Sequence, residues 1–172
     1  MSGSATFGIP LRHQKQQEKY DCWATCLAII CDWKGVALSR SQIWNQAAFD
    51  YPDYAGSGFS GMLSLPEANK LVKKLSGDRI SFDRYGKAIF TWDVYKSYLN
   101  QFRPILVCMY NHCWIVSGYG PDSEKRLLIH NVAKHSGPEE ASCSVLNNKV
   151  VDSLVFSLPA AAAPSRSLGE VD

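Results

Sequence analysis

The sequence lacks the charge bias that is typical of proteins that bind nucleic acids. Its 18 lysines and arginines nearly balance 16 aspartates and glutamates, which leaves a formal net charge of +2. The most basic stretch, KLVKKLSGDR, has the composition of a solvated helix face rather than of a polyanion-binding segment. We therefore expect no nucleic-acid partner.

Long apolar runs are also missing. The longest lies within CWATCLAIIC, which is far shorter than the about 20 residues that cross a bilayer. The first twenty residues hold no continuous apolar stretch of the kind found in secretory signals. We expect no membrane association, and a protein that is made in the cytoplasm without a signal peptide.

The composition is that of a globular protein with a substantial core. The chain has 172 residues, of which 46% are hydrophobic, enough for one domain that needs no disulfides. We place this domain at residues 1–158 and a disordered tail at residues 159–172, because AAAAPSRSLGEVD has little to bury. The six cysteines are expected to be mostly reduced, with Cys108 and Cys113 acting as small buried hydrophobes.

Helix signals dominate the first half of the chain, and strand signals the second. Apolar spacing, cap residues and a first-turn proline predict helices at Cys22–Asp32, from Ser39, from Pro66 and over TWDVYKSYLNQ. Short apolar runs bounded by turn residues predict strands at ISFDRY, RPILVCMY, CWIVSGYG, KRLLIHNVA and DSLVFSLP. This order predicts an α+β fold rather than alternating βαβ units.

Two motifs that suggest ligand binding have weak support. GSGFSG has the glycine spacing of a dinucleotide-binding turn, but no strand precedes it and the next helix starts too late, so we interpret it as a loop at the edge of a cleft. Cys22 and Cys26 could supply two zinc ligands from one helix face, but no second closely spaced pair follows. We expect neither a cofactor nor a metal ion.

A third interpretation of the two cysteines is nucleophilic catalysis. A thiol in the first turn of a helix lies near unpaired N–H groups and the positive end of the helix dipole, which favour the thiolate. Only Cys22 has this position, whereas Cys26 is one turn inward, where a buried core thiol is expected. Asp21 stands at the N-cap position, and its carboxylate would oppose thiolate formation, so Cys22 needs another activating group.

Among the four histidines, His112 is the best candidate for that group. It stands between two apolar strands, where an unpaired titratable side chain is unfavourable. His13 lies in a polar arm, and His130 and His135 sit at and beyond a strand end, consistent with solvent exposure. A hairpin centred near Asp122 brings Asn131 to the same end as His112.

Asn131 and Gln16 complete the candidate site. The Asn131 side-chain carbonyl could accept the imidazole Nδ1–H of His112, so that the other ring nitrogen faces the thiol. Gln16 could donate its amide N–H to an oxyanion beside the backbone N–H of Cys22. Spacing alone leaves Gln17 and Gln14 as alternatives to Gln16.

These segments resemble the papain-like cysteine peptidases, especially short bacterial branches such as plant-pathogen effector proteases and bacteriocin leader-peptidase-like domains. IPLRHQKQQEKYDCWATCLAII is similar to their P-x(n)-Q-x5-C-W-A-A motif. RPILVCMYNHCWIVSGYG resembles their histidine-bearing strand pair, and LLIHNVA resembles the strand of the orienting Asn or Asp. The resemblance covers about residues 9 to 158.

The resemblance implies a papain-like fold, in which the nucleophile helix packs on a C-terminal antiparallel sheet. It implies that Cys22 is the nucleophile, His112 the general base and acid, Asn131 the orienting residue and Gln16, in preference to Gln17, the oxyanion donor. The chain departs from the family after the histidine, where Cys113 and Trp114 replace small residues, and at Lys19, where papain-type signatures have a cysteine.

The expected function is an endopeptidase that acts on a protein substrate through an acyl-thioester. The alternatives are an acyltransferase or transglutaminase-like enzyme with the same intermediate, and an inactive binding module. Small papain-like domains without a signal resemble bacterial effectors or toxins that a dedicated secretion system delivers into a host or competitor cell. Such a toxin would need a protective immunity or inhibitor protein.

Overall fold

The computed structural model of the chain describes residues 5–52, 63–87, 89–110 and 112–158. The GSGFSG loop and the tail at residues 159–172 lie outside the described residues, so the predictions made for them remain predictions. Within the described part, no helix has both the length and the apolar content to cross a membrane.

Five helices are present in the described part of the chain, and the predicted signals mark where several of them begin. The Ser39 hydroxyl accepts the Gln42 N–H, and the Ser39 N–H donates to the Gln42 side chain, which makes a capping box. The Ser64 and Thr91 hydroxyls cap the next two helices, where each accepts one backbone N–H, from Glu67 and from Val94. The bounds are α1 Cys22–Trp33, α2 Arg40–Asp50, α3 Leu65–Leu75, α4 Trp92–Asn100 and α5 Cys143–Lys149.

The seven described strands form one antiparallel sheet in the order β2-β7-β3-β4-β5-β6, with β1 paired to β4. Their bounds are β1 Phe7–Gly8, β2 Phe82–Arg84, β3 Ile105–Met109, β4 His112–Tyr119, β5 Arg126–Asn131, β6 Glu139–Ser142 and β7 Val150–Phe156. Strand β1 lies beside the end of β4 that β3 does not reach. Gly118 allows this close approach, because a Cβ there would lie 2.3 Å from the Phe7 carbonyl oxygen.

Helix α1 is the centre of the core. All residues from Cys22 to Cys31 are buried, and the helix packs against β4 on one side and against α2 and α3 on another. The sequence predicts a single apolar face on Trp23, Leu27 and Ile30, whereas the structure buries the helix on every side. A helix that is apolar all round is typical of this interior position.

The predicted α+β class and the helix-then-sheet order are confirmed. The predicted helices and strands are all present, with ends that differ by a few residues. The sequence did not predict β1, β6 or α5, which are all short, and β6 and α5 are also rich in polar residues. Strand β6, for example, reads EEAS and pairs with β5 through its backbone.

Candidate active site

The first residue of α1 is Cys22, at the helix N-terminus where the sequence places a nucleophile. Its thiol is hydrogen-bonded to the side chains of Cys113 and His112. The hydrogen bond from the Cys113 thiol lowers the pKa of Cys22 most, burial opposes it, and the hydrogen bond and charge of His112 lower it further, to about 5. Cys22 is therefore a thiolate at neutral pH.

Cys26, one turn further along α1, has the opposite character. Its sulfur contacts the Cys113 carbonyl oxygen at 3.6 Å. Complete burial and the negative charges around it raise its pKa well above the ordinary value of a thiol. The two cysteines thus differ as their positions in the helix predict, and Cys22 is the one equipped to act as a nucleophile.

His112 begins β4 and links Cys22 to Asn131. Its Nε2 lies 2.9 Å from the Asn131 side-chain oxygen, which also accepts the Ala133 N–H at 3.2 Å. Burial alone would lower the pKa of His112, but its hydrogen bonds to Cys22 and Asn131 and the charge on Cys22 raise it above the usual 6.5. At mildly acidic pH, between these two pKa values, a thiolate faces an imidazolium.

Two details of this contact differ from the sequence prediction. The ring donates Nε2–H to Asn131, not Nδ1–H, which leaves Nδ1 on the side of the thiol. Asn131 also pairs with Trp114 rather than facing His112 directly. Since residues two apart on a strand share a face, Asn131 still reaches the His112 ring from the neighbouring register position.

Asp21 precedes Cys22 but does not cap the helix with its side chain. The carboxylate is fully buried and points toward the preceding loop, where Oδ2 accepts the backbone N–H groups of Gln17 and Glu18. Arg40 of α2 donates to the same oxygen at 2.6 Å. The predicted conflict between this carboxylate and the thiolate is relieved, because the Asp21 charge is paired with Arg40.

Replacing Arg40 with methionine is expected to lower the free energy of unfolding by about 3–5 kcal/mol, because it leaves the Asp21 carboxylate buried without its cation. Arg40 is largely buried and Asp21 completely so. Arg12→Met is the matched control, since Arg12 is mostly exposed in its pair with Asp32 and the loss of this pair is expected to leave stability nearly unchanged. Urea denaturation at pH 7 measures both, and equal effects would contradict this role for Arg40.

Gln16 lies in the arm that leads to α1, and its backbone N–H donates to the Val132 carbonyl at 2.7 Å. Its side-chain NH2 donates to the carbonyl oxygens of Glu18 at 2.8 Å and Lys19 at 3.1 Å. Its amide hydrogens are therefore used inside the loop, so the predicted oxyanion role requires the amide to turn. The Gln17 side-chain oxygen accepts from Arg40 at 2.7 Å, which gives that residue a structural contact instead.

The strand-end position of His130 is consistent with solvent exposure, but the structure buries this residue. It is fully buried, and its ring stacks on His13 with centroids 5.4 Å apart. The two Nδ1 atoms lie 3.1 Å apart, and His13 Nε2 lies 2.8 Å from the Lys134 carbonyl oxygen. Burial and the neighbouring His13 lower the pKa of His130 to about 4. The pair fastens the arm to β5, the strand that carries Asn131.

The sequence interpretation missed three contributors to this site: Cys113, Arg40 and His130. The position of His130 between Ile129 and Asn131 in an apolar strand is a signal that it faces the interior. Cys113 directly follows His112, where the papain-like peptidases that the sequence resembles usually have a small residue. Nothing in the sequence indicates the pairing of Arg40 with Asp21, which are 19 residues apart.

Metal binding has no support in the described part of the chain, where no group of three or more His, Cys, Asp or Glu residues could hold an ion. Cys22 has no solvent-exposed surface in this structure. A groove of about 480 Å³ lies on another part of the surface, along Gln14, Ala28 and Leu38. A substrate must therefore open a path to Cys22.

The sequence matches no family model and no curated protein, but the fold has solved counterparts. One, whose description reads 'putative C39-like peptidase from Bacillus anthracis', is 15% identical with a TM-score of 0.66, over 92% of this chain and 99% of that one. A double glycine motif protease from an AMS/PCAT transporter, in complex with the leader peptide, is 14% identical with a TM-score of 0.61, over 90% and 96%. The chain has the fold of the papain-like C39 peptidases.

Proposed function

We propose that this protein is a cysteine endopeptidase that hydrolyses peptide bonds of a protein substrate through an acyl-thioester. The observation that supports it most directly is one chain of contacts, in which Asn131 holds His112 and His112 is hydrogen-bonded to the Cys22 sulfur. A thiolate paired with an oriented imidazolium is the arrangement that thiol acyl transfer requires. The C39 peptidase fold of the chain supports the same activity.

In the acylation step, the Cys22 thiolate attacks the carbonyl carbon of the scissile peptide bond. The backbone N–H of Cys22 donates to the developing oxyanion, and Gln16 becomes the second donor once its amide turns away from Glu18 and Lys19. The His112 imidazolium then gives its proton to the leaving amine. The products are the amine and a thioester on Cys22.

In the deacylation step, His112 is neutral and takes a proton from a water molecule, which attacks the thioester. The collapse of the second tetrahedral intermediate releases the carboxylate product. The departing Cys22 thiolate again faces a protonated His112. Asn131 keeps the ring in one plane throughout, because its oxygen accepts from Nε2 and leaves Nδ1 for the proton transfers.

The substrate is expected to emerge from profiling of protein N-termini in a cell lysate. Lysate treated with the wild-type protein should gain a defined set of new N-termini that are absent after treatment with Cys22→Ala. The matching N-terminal fragment of each cleaved protein should end in a free carboxylate, because water is the acceptor. Fragments that carry an added amine instead of a carboxylate would show that the reaction is acyl transfer rather than hydrolysis. Identical N-termini in both samples would contradict the proposal.

The biological setting is a further part of this proposal: an effector or toxin that a dedicated secretion system delivers into another cell. Its support is the sequence resemblance to short bacterial effector proteases. A toxin of this kind requires a protective protein in the producing cell, so a tight inhibitor that co-purifies with the chain is expected. Retention in the cytosol of the producer under all secretion-inducing conditions would contradict delivery.

A further inference from the structure

Cys22, the proposed nucleophile, is the first of three cysteines whose thiols contact one another in a row. Cys113 is hydrogen-bonded to Cys22 on one side and to Cys108 on the other. We call Cys22, Cys113 and Cys108 the sulfur row. Cys113 has no exposed surface, and Cys108 is 7% exposed. In the proposed peptidase chemistry only Cys22 forms a bond to the substrate; Cys113 supplies a hydrogen bond to its sulfur, and Cys108 has no assigned role.

Cys108 and Cys113 are placed for a disulfide by the hairpin that carries His112. They are directly opposite partners on β3 and β4, a pairing that puts Cα atoms about 4.5–5.5 Å apart, inside the range of disulfides. Their sulfurs lie 2.6 Å apart, within about 0.6 Å of the S–S bond length. A small rotation of either side chain brings the two sulfurs to bonding distance.

We propose that Cys113 and Cys108 are a resolving pair, which removes an oxidation product from Cys22 and stores it as a disulfide in the β3–β4 hairpin. The oxidant is a small hydroperoxide. The proposal goes beyond peptidase activity, because it assigns a modification site to two cysteines outside the catalytic group.

The first two steps follow ordinary thiol chemistry. The Cys22 thiolate attacks the distal oxygen of the hydroperoxide and becomes a sulfenic acid, while the O–O bond breaks and the proximal oxygen takes a proton from His112 and leaves as an alcohol or as water. The Cys113 sulfur then attacks the Cys22 sulfur. Its thiol proton joins the departing hydroxide as water, and a Cys22–Cys113 disulfide forms.

In the third step, the Cys108 sulfur attacks the Cys113 sulfur of that disulfide. The Cys108–Cys113 disulfide forms, and Cys22 leaves as a thiolate beside His112. In total, one hydroperoxide is reduced and two thiols are oxidised, with water and an alcohol, or two waters, as products. Cys22 is returned in its reactive form.

The chemical contrast within the sulfur row fits this order of events. Cys22, with a pKa of about 5, is the thiolate that meets the oxidant first. Its neighbours raise the pKa of Cys113 well above the usual value of a thiol, so Cys113 reacts with a hydroperoxide poorly by itself. The opening that a peptide substrate requires also admits a hydroperoxide, which is much smaller.

The test is disulfide mapping by mass spectrometry after one equivalent of hydrogen peroxide is added to the reduced full chain and remaining thiols are alkylated. In the wild type, the Cys108–Cys113 disulfide is expected, with Cys22 alkylated. Cys108→Ala should stop at the Cys22–Cys113 disulfide. Cys113→Ser, whose hydroxyl can still donate to Cys22, should form neither and, after a second equivalent of hydrogen peroxide, should accumulate the sulfinic acid at Cys22, which the wild type avoids.

Two comparisons make the test decisive. Cys22→Ala should slow formation of the Cys108–Cys113 disulfide by at least about tenfold, since it removes the thiolate that meets the oxidant first, whereas Cys143→Ala should leave it unchanged. Disulfide formation at the wild-type rate in Cys22→Ala would overturn the relay, and so would sulfinic acid at Cys22 in Cys108→Ala. The readout is covalent mass, so it is independent of whether the chain cleaves peptides.

Discussion

Cys22→Ala is expected to reduce kcat/KM for a cleaved peptide by on the order of 10⁴- to 10⁶-fold, as the loss of a nucleophile does in other acyl-transfer enzymes. The reason is that only Cys22 combines a helix N-terminus, contact with His112 and a pKa of about 5. The measurement uses a peptide that spans a cleavage site found by N-terminal profiling. Circular dichroism should show an intact fold for the variant.

The matched control is Cys26→Ala, which removes the other thiol of the motif from the same helix. Because burial raises the pKa of Cys26 far above neutrality, its sulfur takes no part in the chemistry, and kcat/KM is expected to stay close to the wild-type value. The variant should lose about 1 kcal/mol of stability from the lost buried atoms. The peptidase proposal fails if the two variants exchange these outcomes.

His112→Ala is expected to lower kcat by about 10²- to 10⁴-fold and to change how Cys22 titrates. In the wild type, the rate of alkylation by iodoacetamide should rise with pH around a midpoint near 5, where the Cys22 thiolate forms. Removal of the imidazolium takes away influences that lower the pKa of Cys22, so the midpoint should move to higher pH. A midpoint that stays near 5 would show that His112 does not stabilise the thiolate.

Peptide cleavage should show a bell-shaped pH profile for the same reason. Activity falls on the acid side as Cys22 is protonated, near pH 5, and on the basic side as His112 loses its proton, above its ordinary 6.5 because its pKa is raised. His135→Ala is the control histidine. It is exposed and contacts Lys15, so its loss should leave both limbs of the profile in place.

The sequence was sufficient to predict the fold class and the position of Cys22, because these depend on local signals. The helix that opens with Cys22 and the apolar strands of the second half follow from apolar spacing and turn residues. Only the hairpin turn near Asp122 was needed to predict that Asn131 lies near His112, because this turn connects β4 to β5 and the two strands pair with each other.

The surroundings of Cys22 depend on contacts between distant segments, which no local pattern reports. Asp21 meets Arg40 of α2, and Cys113 approaches Cys22 only because β4 packs against α1. The polar bonds of Gln16 also depend on how the loop folds back on itself. The contact with Cys113 lowers the pKa of Cys22 most, and neither it nor the pairing of Asp21 with Arg40 was predictable from spacing.

The arm that carries Gln16 is held at both ends, through the pairing of β1 with β4 and the contacts of His13 and Gln16 with β5. The residues between these two attachments form a short closed loop within the folded protein. The conformational entropy of these residues is therefore lost when the protein folds, rather than when a peptide binds. In the proposed mechanism the arm is therefore already ordered before a peptide binds, and the remaining change is the rotation of the Gln16 side-chain amide away from the Glu18 and Lys19 carbonyls.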